Sequence, residues 1–450
     1  MAEPHSSVLA SDVSEPAGLP IGGGAARLAR PPVFLHAGWR TAGTFLWSRF
    51  RAFPGVLAYY EPLHESLAAV SPATLARHGP QLWASGHPRL KRSYFDEFAP
   101  LFRKSATGVR AYRRAFATDD FFAGSDADLP ALKDYVRLLV ERARAGSKQP
   151  VLKFCRSLGR AGWMTRNFPE AVHVAVMRDP VSQFIAAKHQ LLAHDNPYFL
   201  LMPLLVLARN AGQARVAAAL RHFEVRLPPA AAEENPERAN SVLRAHLRRT
   251  EPEAWYRAFL AFWLLSALGI PETIDAIVDG NLLSLSPAYR AECEAELAVL
   301  SGLAVDLGGA VSPECCAGRV ADRLGCTPAA LWRHHAMAAA FLAEEAGRDW
   351  ADRFAPACVG AMLTCGTLLG MGSSHLLRAG ALARGAEWEA LAAYAERAGA
   401  DARRAERRAE RAERELAAVY RSRSWKVTTP LRRLGGRLRQ GARLIGAQES

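Results

Sequence analysis

The chain has no Cys-x-x-Cys pair, no lysine in the glycine-bearing turn after its first strand, and no apolar run long enough to cross a bilayer. Each gap excludes something. Its seven cysteines, Cys155, Cys293, Cys315, Cys316, Cys326, Cys358 and Cys365, are odd in number and scattered. That suits neither a zinc site nor a disulfide framework, and leaves reduced thiols in a cytoplasm as the expectation. The longest apolar run, residues 199–208, carries Pro203 and has about half of the ~20 residues that a membrane helix needs. The segment MAEPHSSVLASDVSEP has acids where a secretory signal needs bases, and no apolar stretch follows it. A cytoplasmic protein is therefore expected, with any membrane contact peripheral at the inner face.

Positive charge is in surplus. Against 44 Asp and Glu stand 57 Lys and Arg, a net +13. Such a balance favours an anionic ligand, an anionic surface, or both. No base-reading motif accompanies it, and the surplus is densest near residues 420–450, so no nucleic-acid partner is expected.

The 450 residues exceed what one core usually spans. Residues 1–30 are rich in Ala, Gly, Pro and Ser and read as a disordered arm. A folded α/β domain is expected over residues 31–370. VFLHAGW from Val33, VLAYYEP (56–62), VLKFC (151–155) and AVHVAVM (171–177) read as buried strands. Helices are predicted over about 43–51, 131–146 and 158–168, and from about Pro180. Strands alternating with helices imply a parallel sheet covered by helices. Residues 199–300 are mostly helical in pattern, with a loop at LPPAAAEENPE and a short strand near 273–278. A further helix is predicted over 328–346.

Residues 371–419 change character. From Trp388 to Val419 small and apolar residues recur at alternating spacings of three and four, a heptad seam built mostly of alanine. This is compatible with a coiled coil that makes a homodimer and equally with a single long helix. Residues 420–450 form a basic tail in which Leu431, Leu434 and Leu438 share a helix face. It suits an anionic membrane surface or plain solvation, and is similar in composition to the SRSW-type tails of some bacterial glycan-assembly enzymes.

The first strand runs into Gly38-Trp39-Arg40-Thr41-Ala42-Gly43-Thr44 and then a helix. This fits GxxxxG[ST] without the lysine of a nucleotide-triphosphate loop. Glycines let the backbone curl, successive N–H groups converge, and the helix N-terminus adds partial positive charge. With Arg40 in place of that lysine, a phosphate plus a sulfate is a better match than a triphosphate with magnesium.

WRTAGTFLWSRF resembles the 5′-phosphosulfate loop of the carbohydrate sulfotransferases, which typically reads W-R-[ST]-G-[ST]-[ST]-F-L. VAVMRDPVSQF resembles their 3′-phosphate motif, a buried strand ending in R-D-P, and AYYEPLHE resembles their F-E-P-L-W-H segment. The three occur in the family's order within residues 31–190. The resemblance implies a P-loop-like α/β fold and transfer of a sulfuryl group from 3′-phosphoadenosine 5′-phosphosulfate (PAPS), without a metal, to a hydroxyl or amine, with a carbohydrate acceptor expected. It assigns Arg40, Thr41, Ala42, Gly43, Thr44 and Phe45 to the 5′-phosphosulfate loop, with Arg40 beside the sulfuryl oxygens, and Arg178 to the 3′-phosphate. The family's serine eight residues after that arginine is here Ala186, so Ser182 is the nearest substitute, with Lys188 as a helper. Glu61 matches the family's general base or acceptor-orienting group, for which a raised pKa is expected at a buried strand end. His64 and Glu65 are rivals for that role. Lys153 and Arg156 flank the end of VLKFC and are candidates to face the same cleft. Two other readings stand beside this one. In a P-loop NTPase or small-molecule kinase Asp179 would hold magnesium. In a non-catalytic scaffold of glycan assembly the heptads and tail would be the working parts.

Overall fold

A computed structural model describes residues 30–75, 90, 92–103, 107–232, 235–310, 323–346, 358–360, 362–364 and 366. The expected arm 1–30 (all but its last residue), the heptads and the basic tail lie outside the described residues.

Five strands form one sheet: β1 (Val33–Ala37), β2 (Val56–Tyr60), β3 (Gln149–Phe154), β4 (Val172–Met177) and β5 (Ala276–Asp279). Their order across the sheet is β2-β3-β1-β4-β5, and every pairing is parallel. The expected α/β class, a parallel sheet with helices packed on it, is what the chain forms. Parallel strands covered on both faces need apolar residues at every position, not at alternate ones. β1, the central strand, is accordingly buried throughout. It pairs with β3 on one side, Val33 opposite Val151, and with β4 on the other, Val33 opposite Val172. His36 is its one polar member. His36 Nδ1 lies 2.7 Å from Ser157 Oγ and its Nε2 lies 3.0 Å from His173 Nδ1, so its polar edges are satisfied inside the core.

Proline marks where helices begin. α1 (Gly43–Arg51) follows β1 directly. α2 (Pro130–Ala145), α4 (Pro180–His194), α7 (Pro236–Arg249), α8 (Pro252–Ala267) and α10 (Pro287–Ser301) each carry proline in the first turn, where its missing N–H costs nothing. Asp179, Asn235 and Ser286 cap three of these with side-chain acceptors. The remaining helices are α3 (Ala161–Asn167), α5 (Tyr198–Arg209), α6 (Ala214–His222), α9 (Gly280–Leu285) and α11 (Pro328–Ala346). α5 and α8 are buried along nearly their whole length. They pack on each other and form the heart of a helical layer beside the sheet.

Several details differ from expectation. The helix expected over 158–168 starts as a 3-10 turn, Leu158–Arg160, because the buried Arg160 side chain is drawn to the carbonyls of Arg156, Asp119 and Phe116. The second strand stops at Tyr60 because Glu61 turns to φ 47°. The expected loop at 227–237 contains a 3-10 turn, Pro229–Ala232, and the first residues of α7. Among the described residues, no helix is long and apolar enough to cross a membrane.

Because all five strands run the same way, their C-terminal ends share one edge. The chain leaves β1 towards β2 and leaves β4 towards β5, in opposite directions across the sheet. This divergence makes the ends of β1 and β4 the topological switch point, the place where open α/β sheets hold ligands.

Candidate functional site

The β1–α1 loop lies at that edge, and its carbonyls are held by side chains from within and outside it. Thr41 Oγ1 donates to the Gly38 carbonyl at 2.9 Å, Gln183 Nε2 to the Trp39 carbonyl at 2.7 Å, and Arg178 Nη1 to the Arg40 carbonyl at 3.4 Å. In a trans peptide the C=O of one residue and the N–H of the next point oppositely. Three successive carbonyls are thus occupied, and each of the Trp39, Arg40 and Thr41 amides lies on the opposite side of its peptide from the occupied carbonyl. Arg40 at φ 66° and Ala42 at φ 70° adopt the left-handed region that non-glycine residues seldom enter. Alternation of this kind makes a concave row of N–H groups suited to an anion. Strained residues of this type cluster at functional sites; Glu61 makes a third here.

Two glycines permit the packing. A Cβ on Gly43 would stand 2.6 Å from Ala37 Cβ and 3.1 Å from Lys153 Cε. A Cβ on Gly280, in the β5–α9 turn, would stand 2.5 Å from the Thr41 carbonyl oxygen. Trp39 anchors the loop to the helical layer, its ring stacked 5.4 Å from that of Phe262 and 6.2 Å from that of Phe121. The Arg40 guanidinium lies over the Phe199 ring of α5 at 5.3 Å.

The lysine that the loop lacks stands on the neighbouring strand. Lys153, in β3, is almost fully buried. Its Nζ is 2.5 Å from Glu61 Oε1, 2.9 Å from Cys155 Sγ and 3.4 Å from Thr44 Oγ1. It also lies 4.7 Å from the centre of the Tyr60 ring. Burial disfavours its charge, but Cys155, Glu61 and Tyr60 outweigh that and raise its pKa, so it is an ammonium.

Glu61 sits at the centre of this group. Oε2 accepts from Arg156 Nη1 at 3.0 Å and from the Cys155 amide at 3.1 Å. Burial would push its pKa up, as expected from the sequence. The charges of Lys153, Arg156 and His64 and the hydrogen bond from Cys155 reverse that and hold it at about 2. The raised value expected for a buried strand end is therefore overturned: the cations that surround this carboxylate come from β3, distant in sequence. Arg156 carries the network outward. Its guanidinium is fully buried and reaches Glu65 Oε2 and the Tyr198 hydroxyl, each at 2.5 Å. Glu65 is opposed by burial but held down to about 2 by Arg156, His64, its own backbone amide and the Tyr198 hydroxyl, which donates to it at 2.8 Å. His64 caps the following 3-10 turn, its Nδ1 accepting from the Ser66 amide at 3.1 Å. One of its two ring nitrogens is thus already engaged.

On the far side of the loop, Arg178 ends β4. Its Nε donates to Asn281 Oδ1 at 2.7 Å. Asn281 Nδ2 donates to Asp179 Oδ2, and Asp179 Oδ1 accepts from the Ser182 amide at 2.9 Å. Ser182 stands in the first turn of α4, and Ala186 is buried one turn on. Lys188 is mostly buried, and burial lowers its pKa despite Cys326 nearby. Asp279 caps α9 through the amides of Asn281 and Leu282; burial raises its pKa to about 6, against those two hydrogen bonds.

The structure thus gathers Thr44, Glu61, Lys153 and Arg156 into one hydrogen-bonded group and Arg40, Arg178, Asp179 and Ser182 around the other flank of the same loop. Phe45 points elsewhere, its ring under the Arg49 guanidinium at 4.7 Å. Asn281, Tyr198 and Gln183 were missed in the sequence. Of these, only Asn281 leaves a local trace there: Asp-Gly-Asn directly after a buried strand is a helix-capping signature. Comparison of the chain with protein-family models, with curated proteins and with solved structures finds no match.

Proposed function

We propose that the protein is a PAPS-dependent sulfotransferase whose donor lies across the ends of β1 and β4, on a P-loop-like turn. The observation that carries this reading is the β1–α1 loop, with left-handed Arg40 and Ala42, three carbonyls held by side chains and a buried cation on each flank, Lys153 on β3 and Arg178 directly after β4. Loop amides and Lys153 suit a 5′-phosphosulfate, and a guanidinium ending a neighbouring strand suits a 3′-phosphate. Ser182 would replace the family's serine in holding the 3′-phosphate.

In the proposed reaction the acceptor oxygen attacks sulfur and the bond from sulfur to the 5′-phosphate oxygen breaks. Arg40, Lys153 and the loop amides stabilise charge spreading on the sulfuryl oxygens and the departing phosphate. The acceptor proton passes to Glu61. A carboxylate at about 2 is a weak base. Movement of Lys153 from Glu61 towards the incoming anion would remove one of the charges that depress it, leaving Arg156, and raise its basicity in part. Donor binding would then prepare the base. A carbohydrate acceptor rests on the family resemblance, and dimerisation by the heptads and peripheral membrane contact by the tail belong to the same proposal.

The kinase or NTPase reading needs Asp179 for magnesium. Both of its carboxylate oxygens are already engaged, one by the Ser182 amide and one by Asn281. Titration calorimetry with 3′,5′-adenosine bisphosphate separates the two. Binding of similar strength with and without magnesium is the expected result; binding of ATP alone, lost on chelation, would overturn the sulfotransferase reading.

A further inference from the structure

A second concavity lies in the helical layer, away from the strand ends. It is a cleft of about 730 Å³ bounded by α5, α6, α7 and the first turns of α8. That volume falls within the range of small-molecule sites. Its floor is apolar: Leu204, Val225, Ala254 and Trp255 contribute to it. The polar edge of Trp255 is already spent, since Nε1 donates to Thr250 Oγ1 at 2.9 Å, which leaves the ring for apolar contact.

Three arginines stand around this floor, Arg221, Arg226 and Arg257, against a single acid, Glu224. Arg221 and Arg226 are exposed. Glu224 pairs with Arg257 Nη1 at 3.1 Å but is itself largely solvated, so it neutralises the cleft weakly. The buried Nε of Arg257 has no hydrogen-bond partner among the described residues. His246, on the same wall, has its pKa lowered by burial and adds no charge near neutrality. An apolar floor under a cationic rim is complementary to one kind of ligand, an apolar body ending in an anion.

We infer that this cleft binds an amphipathic anion, an aliphatic or isoprenoid chain bearing a phosphate, sulfate or carboxylate head, with the chain on Trp255 and the head among Arg221, Arg226 and Arg257. The inference does not depend on the donor chemistry proposed for the strand ends. Dodecyl phosphate, below the concentration at which it forms micelles, is the probe, titrated calorimetrically into the full chain. Dodecyltrimethylammonium tests the body without the anion, and inorganic phosphate tests the anion without the body.

Dodecyl phosphate is expected to bind at least about tenfold more tightly than either control. The double change Arg221→Glu and Arg226→Glu, on exposed side chains, is expected to weaken it about 10- to 100-fold with thermal unfolding unchanged. Ala254→Trp fills the cleft and is expected to abolish binding. Equal binding of all three probes, no binding of dodecyl phosphate, or unchanged binding in the arginine variant would overturn the proposal. Co-sedimentation with phosphatidylglycerol vesicles identifies the source. Pelleting that the arginine variant loses assigns the head to a bilayer lipid, whereas binding of the monomer without pelleting assigns it to a soluble acyl anion.

Discussion

Lys153 Nζ and Glu61 Oε1 stand 2.5 Å apart, both side chains almost wholly buried, with Thr44 of the loop 3.4 Å from the same ammonium. Glu61 is the carboxylate that pairs with Lys153, and it also has Arg156 at 3.0 Å. Removing one partner of a buried pair leaves the other uncompensated and typically costs about 3–5 kcal/mol. Glu61→Gln is therefore expected to lower the urea midpoint strongly, and Lys153→Met to lower it less, because Arg156 still pairs with Glu61. The double variant Glu61→Gln with Lys153→Met should recover part of the loss, since it removes both charges together. A double-mutant cycle from urea melts at pH 7 measures this.

The same pair makes stability depend on pH in a defined direction. Glu61 is held at about 2, below the value near 4.3 of an unfolded glutamate. Its contribution is fully present above about pH 4–5 and is lost as pH falls towards 2. The stability gap between the parent protein and Glu61→Gln should be widest at neutral pH and shrink steadily below about pH 4.5. A gap that stays constant from pH 7 to pH 3 would show that Glu61 is not held as described.

Arg178 depends on Asn281 for its direction, through the 2.7 Å bond to Nε. Arg178→Ala is expected to weaken 3′,5′-adenosine bisphosphate by about 2–4 kcal/mol, roughly 30- to 1,000-fold. Asn281→Ala leaves the guanidinium in place with its bond to the Arg40 carbonyl, but removes the partner of Nε and one of the two partners of Asp179. A smaller loss of binding is expected from it, about tenfold, together with a lower melting temperature. Calorimetry and thermal unfolding on the two variants check both statements.

Gly43→Ala puts a methyl 2.6 Å from Ala37 Cβ, which cannot move without disturbing the central strand. Overpacking of this kind costs about 1–3 kcal/mol. The loop would shift away from β1, and adenosine bisphosphate binding should fall more than stability does. Gly55→Ala, where a Cβ would meet nothing, is the control.

His36 is expected to stay neutral well below pH 6.5, and the His173 pKa is shifted downward. Burial lowers both, and the neighbouring His173 lowers His36 further. Unfolded imidazoles take up protons near 6.5 that the folded ones refuse, so stability falls as pH drops below that value. The ring carbon and nitrogen NMR shifts of His36 should remain flat from pH 7 to pH 5.5.

Much of the fold was legible because it is written locally. Val33–Ala37 and Val172–Met177 are apolar but for His36 and His173, the mark of strands covered on both faces, and Pro130, Pro180, Pro236, Pro252 and Pro287 stand at the first position of their helices. The loop between Gly38 and Thr44 was visible as a curl with a helix behind it. The 3-10 start at Leu158 was not, because it answers to carbonyls at Phe116 and Asp119, some forty residues away.

The sequence by itself determined the element types, the position of the loop and the presence of Arg40, Glu61 and Arg178 at strand ends, since each follows from spacing and periodicity within a few residues. Only the tertiary structure decided that β3 lies between β2 and β1. That one crossover brings Lys153 against Thr44 and sets Glu61 between two cations, which turns an expected proton acceptor of raised pKa into an ionised anchor at about 2. Charge in a low-dielectric interior depends on distances of a few ångströms, and distances between strands are not encoded in any local pattern.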